Sequence, residues 1–332
     1  MSARKRFTIK EGLRLLHLQN NITEEKNREN VVSPDITMKA KNMKDVTAKQ
    51  AVMTGFAKFF LYAFLILMAV IVLFPFYWML ISSLKTTREY NYGDNGTPTL
   101  WPRQIEWSNY VAAFDPESLN LGRLLLNTCY VGIVSTLLSL VITVLAAFAF
   151  ARLEFKGKNA MFAALLATMM IPGELFTITN YATVANFGWI GTYTVLIVPF
   201  LVSVFYIYLL RQNFMQIPNE LYLAAKMDGT SDLKYLWRVM IPLSLPTLIS
   251  ITILKMMGAW NSYVWPRLVA NDDAHKLVTN GLRGTTFLDE AGYTNYPAQM
   301  AAVVLVSIPL FLVFTFLRKY IMKGVSRSGI NG

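Results

Sequence analysis

The stretch Ile217–Pro246 reads IPNELYLAAKMDGTSDLKYLWRVMIPLSLP, and the layout of the whole chain follows from it. Apolar runs of membrane-crossing length flank it on both sides, which makes it a loop at a membrane face. Pro218 suits a first helical turn, where its missing N–H would have had no partner. Leu221, Ala224, Ala225 and Asp228 continue at helical spacing, and Gly229 can end that helix in the left-handed conformation. Thr230 or Ser231 can cap a second helix, with Asp232 in its first turn, where the helix dipole favours an anion. That second helix carries Leu233, Leu236, Trp237 and Met240 into Pro242. The spacing therefore predicts a helix, a tight glycine turn and a second helix, with a small alanine pair that lets another surface approach closely.

Working outward, six apolar segments predict six spans: about 59–81, 124–150, 161–179, 192–210, 241–263 and 300–317. Each has close to the roughly 20 apolar residues that a bilayer requires. The third is interrupted by Pro172–Gly173 and the fourth contains Pro199. Hydrophobic residues make up 54% of the 332 and charged ones only 15%, which excludes an ordinary soluble domain. The net charge of +11 is not gathered into one patch. It collects between spans and at the termini, so nucleic acid is not an expected partner and the lipid bilayer is. The one cysteine, Cys129, excludes an internal disulfide, and His17 and His275 are too isolated for a metal site.

Lys and Arg cluster in the amino-terminal segment, after span two (Arg152, Lys156, Lys158), in the 211–238 loop and at the carboxyl end (Arg318, Lys319, Lys323, Arg327). That bias predicts both termini and the Gly229 loop on the cytoplasmic side. Residues 1–52 read as a cytoplasmic, partly disordered basic extension, or as a short helix with Phe7, Leu13, Leu16 and Leu18 on one edge. No apolar core follows the basic opening closely enough for a cleaved leader. The two long outer segments read as solvated loops or as the seat of a soluble partner; the second carries Asp272, Asp273, Asp289 and Glu290.

Few charges fall inside the spans. Lys255 lies in span five and Glu174 just after Pro172. Such residues face a cavity, pair or snorkel, so Lys255 either lines a path or pairs with Glu174. Trp260 and Asn261 stand in the run WNSYVWP (260–266), which reads either as a sugar-stacking surface or as an interfacial aromatic belt. No nucleophile elbow, paired carboxylates, zinc spacing or Walker lysine loop occurs, so the chain is not expected to be an enzyme or to hydrolyse ATP.

Ala224–Ala225, Asp228–Gly229 and then, nine residues on, Val239, Ile241 and Pro242 resemble the EAA loop of binding-protein-dependent ABC importer permeases. The motif's Glu is Leu223 here, with Glu220 the nearest acid. The WNSYVWP run, the segment ATMMIPGELF (167–176) and the ending RKYIMKGVSRSGING (318–332) are similar to the carbohydrate branch, nearest the smaller maltose-type permease subunit. The resemblance covers about 55–332. It implies an all-α membrane protein with the six-helix type I ABC importer permease fold in residues 53–332. A cytoplasmic coupling helix would lie between the fourth and fifth helices.

It further implies an inner-membrane, multi-pass subunit that imports oligosaccharides or related sugars. Expected partners are a second homologous permease, an ATPase homodimer and a soluble sugar-binding protein. ATP and Mg would belong to the ATPases, with no cofactor on this chain. Glu220, Ala224, Ala225, Asp228 and Gly229 would contact the ATPase, and Lys255, Trp260, Asn261 and Glu174 are candidates for the substrate path. The tail from Val325 to Gly332 would reach toward the ATPase interface. The alternatives are an ion-coupled secondary transporter working without an ATPase, for which the chain offers only Glu174 and no inverted repeat, and a scaffold without transport, which leaves the loop unexplained.

Overall fold

A computed structural model describes residues 17–21, 34–93, 97–115, 118–288, 292 and 294–326, with side chains placed outside 34–57 and 317–326. Phe7, Leu13, Leu16, Asp289, Glu290 and residues 327–332 lie outside the described residues. The chain divides into two units, Met1–Pro75 and Phe76–Gly332. The first unit is described mainly by the amino-terminal part of α1 (Pro34–Ser83), a 50-residue helix. Residues 34–52, read from sequence as part of a partly disordered extension, are helical. Leu18 sits on a short helical piece, 17–21, and is exposed.

The second unit contains α2 (Thr87–Tyr92), α3 (Ser108–Ala112), α4 (Leu121–Arg152), α5 (Lys158–Thr168), α6 (Thr177–Asn186), α7 (Tyr193–Ile197) and α8 (Val204–Met215). There follow α9 (Asn219–Met227), α10 (Asp232–Tyr235), α11 (Ile241–Leu243), α12 (Leu245–Trp260), α13 (Val264–Val269), α14 (Val278–Gly284) and α15 (Tyr296–Ser326). Among the described residues three helical stretches are long and apolar enough to cross a membrane: Lys58–Ser83, Leu121–Arg152 and Tyr296–Phe316. Three bent pairs raise the number to as many as six if each pair is one span.

The bends have local causes. The 82° break between Lys158–Thr168 and Gly173–Asn186 falls at Pro172, and the 45° break between Tyr193–Phe200 and Val204–Met215 follows Pro199. Proline removes a helical donor and crowds the preceding turn. Ser203 then restarts the chain as α8, its hydroxyl accepting from the Tyr206 N–H at 3.4 Å. The third bend, 81°, sits at Ser244 between Pro242 and Pro246. Here the structure differs from the sequence reading, which began a span at Ile241. The helix that leaves the Gly229 turn runs through a π-helical segment, Leu236–Met240, to Leu243 before it breaks.

α4 is the central post. It packs against α8 and α12, while α12 also packs against α15. Beyond the carboxyl end of α12, the segment 264–284 is tied to this post. Asn127 Nδ2 donates to the carbonyls of Ala274 and Lys276 at 2.9 and 3.0 Å. The Thr128 hydroxyl accepts from the Val278 N–H at 2.9 Å. Gly281 makes the close approach of α14 to α4 possible, since a Cβ there would lie 2.2 Å from a methyl of Leu124. The segment after α1, read from sequence as an irregular loop, carries the short helices α2 and α3 and is tethered: Asn109 Nδ2 donates to the carbonyls of Ser83 and Lys85 at 3.0 and 2.8 Å.

Candidate functional site

The Gly229 turn closes α9 with a Schellman arrangement. The Thr230 N–H reaches the Ala225 carbonyl at 2.9 Å and the Gly229 N–H reaches Lys226 at 3.0 Å, satisfying two carbonyls the helix end would otherwise leave bare. Gly229 has φ +69°, and a Cβ there would meet nothing within 4 Å. The demand for glycine is conformational, not spatial. Ser231 occupies the cap position of α10, but its side chain makes no capping bond. Asp232 is the fastener. Its carboxylate holds Lys226 at 2.7 Å and accepts from the Tyr222 hydroxyl at 2.8 Å, locking α9 to α10 across the turn. The hydrogen bond to Asp232 raises the Lys226 amine above its ordinary value. Burial first, and Asp232 second, raise the Tyr222 phenol.

The inner side of this elbow is anchored. Tyr235, Leu236 and Met240 are fully buried against Ala147 and Phe148 of α4 and Phe214 of α8. The sequence put Leu233 and Trp237 on the same stripe, but both are exposed. The π-helical segment shifts the register of the buried face. Arg152, at the end of α4, supplies the polar anchor. Its guanidinium donates to the carbonyls of Phe214, at 2.8 Å, and Ile217, and to Asn219 Oδ1 at 3.4 Å. It thus caps the carboxyl end of α8 and reaches the first residue of α9. A cation in the last turn of a span is a signal that could have found it, but the sequence reading used Arg152 only for topology.

The outer side of the elbow is bare. Leu223 is 54% exposed and Met227 89%; they stand one helical turn apart, beside exposed Glu220, Ala224, Asp228 and Gly229. Ala225 is half-buried and packs inward. The alanine pair therefore splits between the two sides. Leu223, at the position of the motif's Glu, contributes apolar surface to the bare side.

At the other end of α12, a cavity of about 360 Å³ opens between α4, α8 and α12, lined by Ser135, Ser203, Tyr206, Lys255, Ser262 and Trp265 among others. Lys255 donates to the Phe200 carbonyl, which the break after Pro199 leaves available. Among the described residues it forms no ion pair with Glu174, which is exposed beside the 82° bend. Trp260 does not line this cavity. It is 5% exposed and packed with Leu124, Val278, Ala298 and Ala302. Asn261 is exposed and donates to the Met257 carbonyl at 3.0 Å. The aromatic rings the cavity does have are Phe200, Tyr206 and Trp265, the last held by a 2.9 Å bond from its indole N–H to the Val195 carbonyl.

Residues 95–327 match the family described as binding-protein-dependent transport system inner membrane component. The arabinooligosaccharides transport system permease protein AraQ of Bacillus subtilis is 28% identical over 81% of this chain and 94% of its own length. The sn-glycerol-3-phosphate transport system permease protein UgpE of Yersinia pestis is 27% identical, covering 80% and 95%. The diacetylchitobiose uptake system permease protein NgcG of Streptomyces coelicolor is 28% identical, covering 80% and 86%. Among solved structures, a chain of a bacterial ABC transporter involved in the import of the acidic polysaccharide alginate superposes with TM-score 0.70. Its identity is 24%, over 78% of this chain and 94% of that one.

Proposed function

This chain belongs to the family of binding-protein-dependent transport system inner membrane components, and from that premise we propose that it is a sugar-importing permease driven through the Gly229 elbow by partner ATPases. The three long helices and the three bent pairs act as six spans, with both termini and the elbow in the cytoplasm. A second permease completes the passage, and a soluble binding protein delivers an oligosaccharide or related sugar from outside. The names of the relatives support a carbohydrate or a sugar-like polyol phosphate as cargo.

The observation that carries the coupling role is the bare face of α9. A membrane protein does not normally leave an apolar helix face in water on a loop whose opposite face is rigidly packed. Leu223, Ala224 and Met227 form such a face, flanked by Glu220 and Asp228, and fit an apolar cleft on another protein. Closure of the ATPases would press on this face. The Schellman turn and the Asp232 fastener pass the displacement to α10, and the unbroken helix to Leu243 carries it to the Ser244 bend. α12 then moves, and with it the cavity wall bearing Lys255.

The test is a cross-link. With Cys129 replaced by serine, Met227→Cys in the assembled complex is expected to trap an ATPase subunit in a nucleotide-dependent adduct. Labelling of the same cysteine by a membrane-impermeant maleimide in intact cells would place the elbow outside and sink the proposal. Uptake that responds to a proton gradient and ignores ATP would replace it with a secondary transporter.

A further inference from the structure

Past the carboxyl end of α12 lies a second cavity, of about 610 Å³, bordered by Tyr263, Thr279, Arg283 and Gln299 over an apolar floor that includes Leu282 and Val303. Two guanidinium groups converge on the Tyr263 ring. Arg283 stands 4.7 Å from its centroid, and Arg267 donates to its hydroxyl at 2.6 Å. Like charges brought to one phenol repel, and a neutral phenol offers a face and one acceptor to groups that carry five donors each. Among the described residues, no carboxylate pairs with either arginine. The acids Asp272 and Asp273 are engaged elsewhere, by His275 at 2.6 Å and Lys276 at 2.7 Å.

This cavity adjoins the one that holds Lys255. Ser262 lines one, Tyr263 and Thr279 line the other, and the Thr279 hydroxyl donates to the Ser262 carbonyl between them. Among the described residues no Asp or Glu lines either cavity. The walls supply hydroxyls and one amide, which can serve a sugar's own hydroxyls, and beside them positive charge, which favours an anion.

We propose that Arg283 and Arg267, braced on Tyr263, form a subsite for an oxyanion carried by the transported sugar, a carboxylate or a phosphate, and that this permease is therefore selective for anionic saccharides. The planar guanidinium suits either group, taking two oxygens at once. Lys255 presents a third cation to the same molecule as it passes the Ser262–Thr279 partition. The inference rests on the transport reading and narrows it from sugars in general to charged ones.

The test uses the full permease–ATPase complex in nanodiscs of zwitterionic lipid, with a labelled triuronate and the matching neutral trisaccharide as probes. The wild type is expected to favour the triuronate. Arg283→Gln should cut that preference roughly tenfold or more, the loss of one charge-assisted pair, and Arg283→Lys should restore part of it. Arg123→Gln, at an exposed cation lining neither cavity, should keep it. Competition by a sugar phosphate and by a free uronate tells which oxyanion is preferred. Equal binding of charged and neutral probes by the wild type would overturn the proposal. So would an Arg283→Gln variant that keeps the preference and loses only affinity for phosphatidylglycerol, since the site would then hold a lipid headgroup. Capture of the ATPase at Met227 does not involve Arg283, so failure of the subsite and failure of the transport reading give different results.

Discussion

The two ends of α12 treat charge in opposite ways. At the elbow end four cations have a partner within the chain. Arg152 caps α8, Arg211 donates to the Phe150 carbonyl at 3.0 Å, Lys158 to Leu153 at 2.9 Å, and Lys226 is paired with Asp232. At the far end, Arg283, Arg267 and Lys255 meet a ring face, a phenol and a carbonyl, with no acid among the described residues. A self-satisfied network makes a stiff part, because moving any member strands another. At the far end Arg267 and Arg283 are exposed and keep donors free for an incoming anion. On the proposed reading, the difference separates a handle from a binding surface at the two ends of one 16-residue helix.

The strongest way to break the handle is at its turn. Gly229→Pro cannot adopt φ +69° and removes the N–H that reaches Lys226. ATP-driven uptake should fall to background while the protein still inserts. Gly229→Ala meets no steric obstacle and should cost only the left-handed penalty, about 1–2 kcal/mol, leaving partial uptake. Near-normal uptake by the proline variant would show that the elbow's shape does not matter.

Next in size is Arg152. Removing it with Arg152→Ala strands the Phe214 and Ile217 carbonyls and frees the base of α9, at a cost of about 2–4 kcal/mol. A lower melting temperature alone would mark an ordinary structural residue. The expected signature is also a higher basal ATPase rate that substrate no longer stimulates, because the push on α9 is spent on a loosened joint. Arg152→Lys keeps the charge but loses the forked geometry, and should fall between the two.

How much of this was legible in the sequence varies from residue to residue. The helix–turn–helix at Gly229 was, because proline, glycine and the alanine spacing act locally. The break at Pro172 was too, whereas Pro199 was placed inside a span without a break being read from it. The 81° bend was not: the sequence began a span at Ile241, but Pro242 and Pro246 both offer a break, and packing of Leu236 and Met240 carries the helix on to Leu243. Trp260 read either as a belt residue or as a sugar platform; burial against α14 and α15, neither near it in sequence, makes it core. The meeting of Arg267 and Arg283 on Tyr263 had no sequence signal at all. It depends on the chain doubling back between α13 and α14, a path fixed by Asn127 and Thr128 on α4.

The smallest effect should come from the fastener itself. Asp232→Asn keeps an acceptor for Tyr222 but gives up the ion pair with Lys226, whose partners are one-third to one-half exposed. Exposed pairs contribute little, and the buried ring contact between Tyr222 and Tyr235, with centroids 5.2 Å apart, still joins the two helices. Uptake should drop by less than about threefold, the scale expected of a screened pair. Salt should weaken the wild type toward the variant without affecting the variant itself. The pH response has a definite sign. Lys226 is raised on folding, so its contribution is complete below the ordinary lysine value and is lost only as pH climbs through the raised one. Between pH 6 and 8 (roughly the range of a growing cell, and far below any lysine value) the wild type and Asp232→Asn should therefore keep a constant ratio of uptake. A ratio that changes across that interval would mean that some other titrating group, and not this pair, holds the elbow closed.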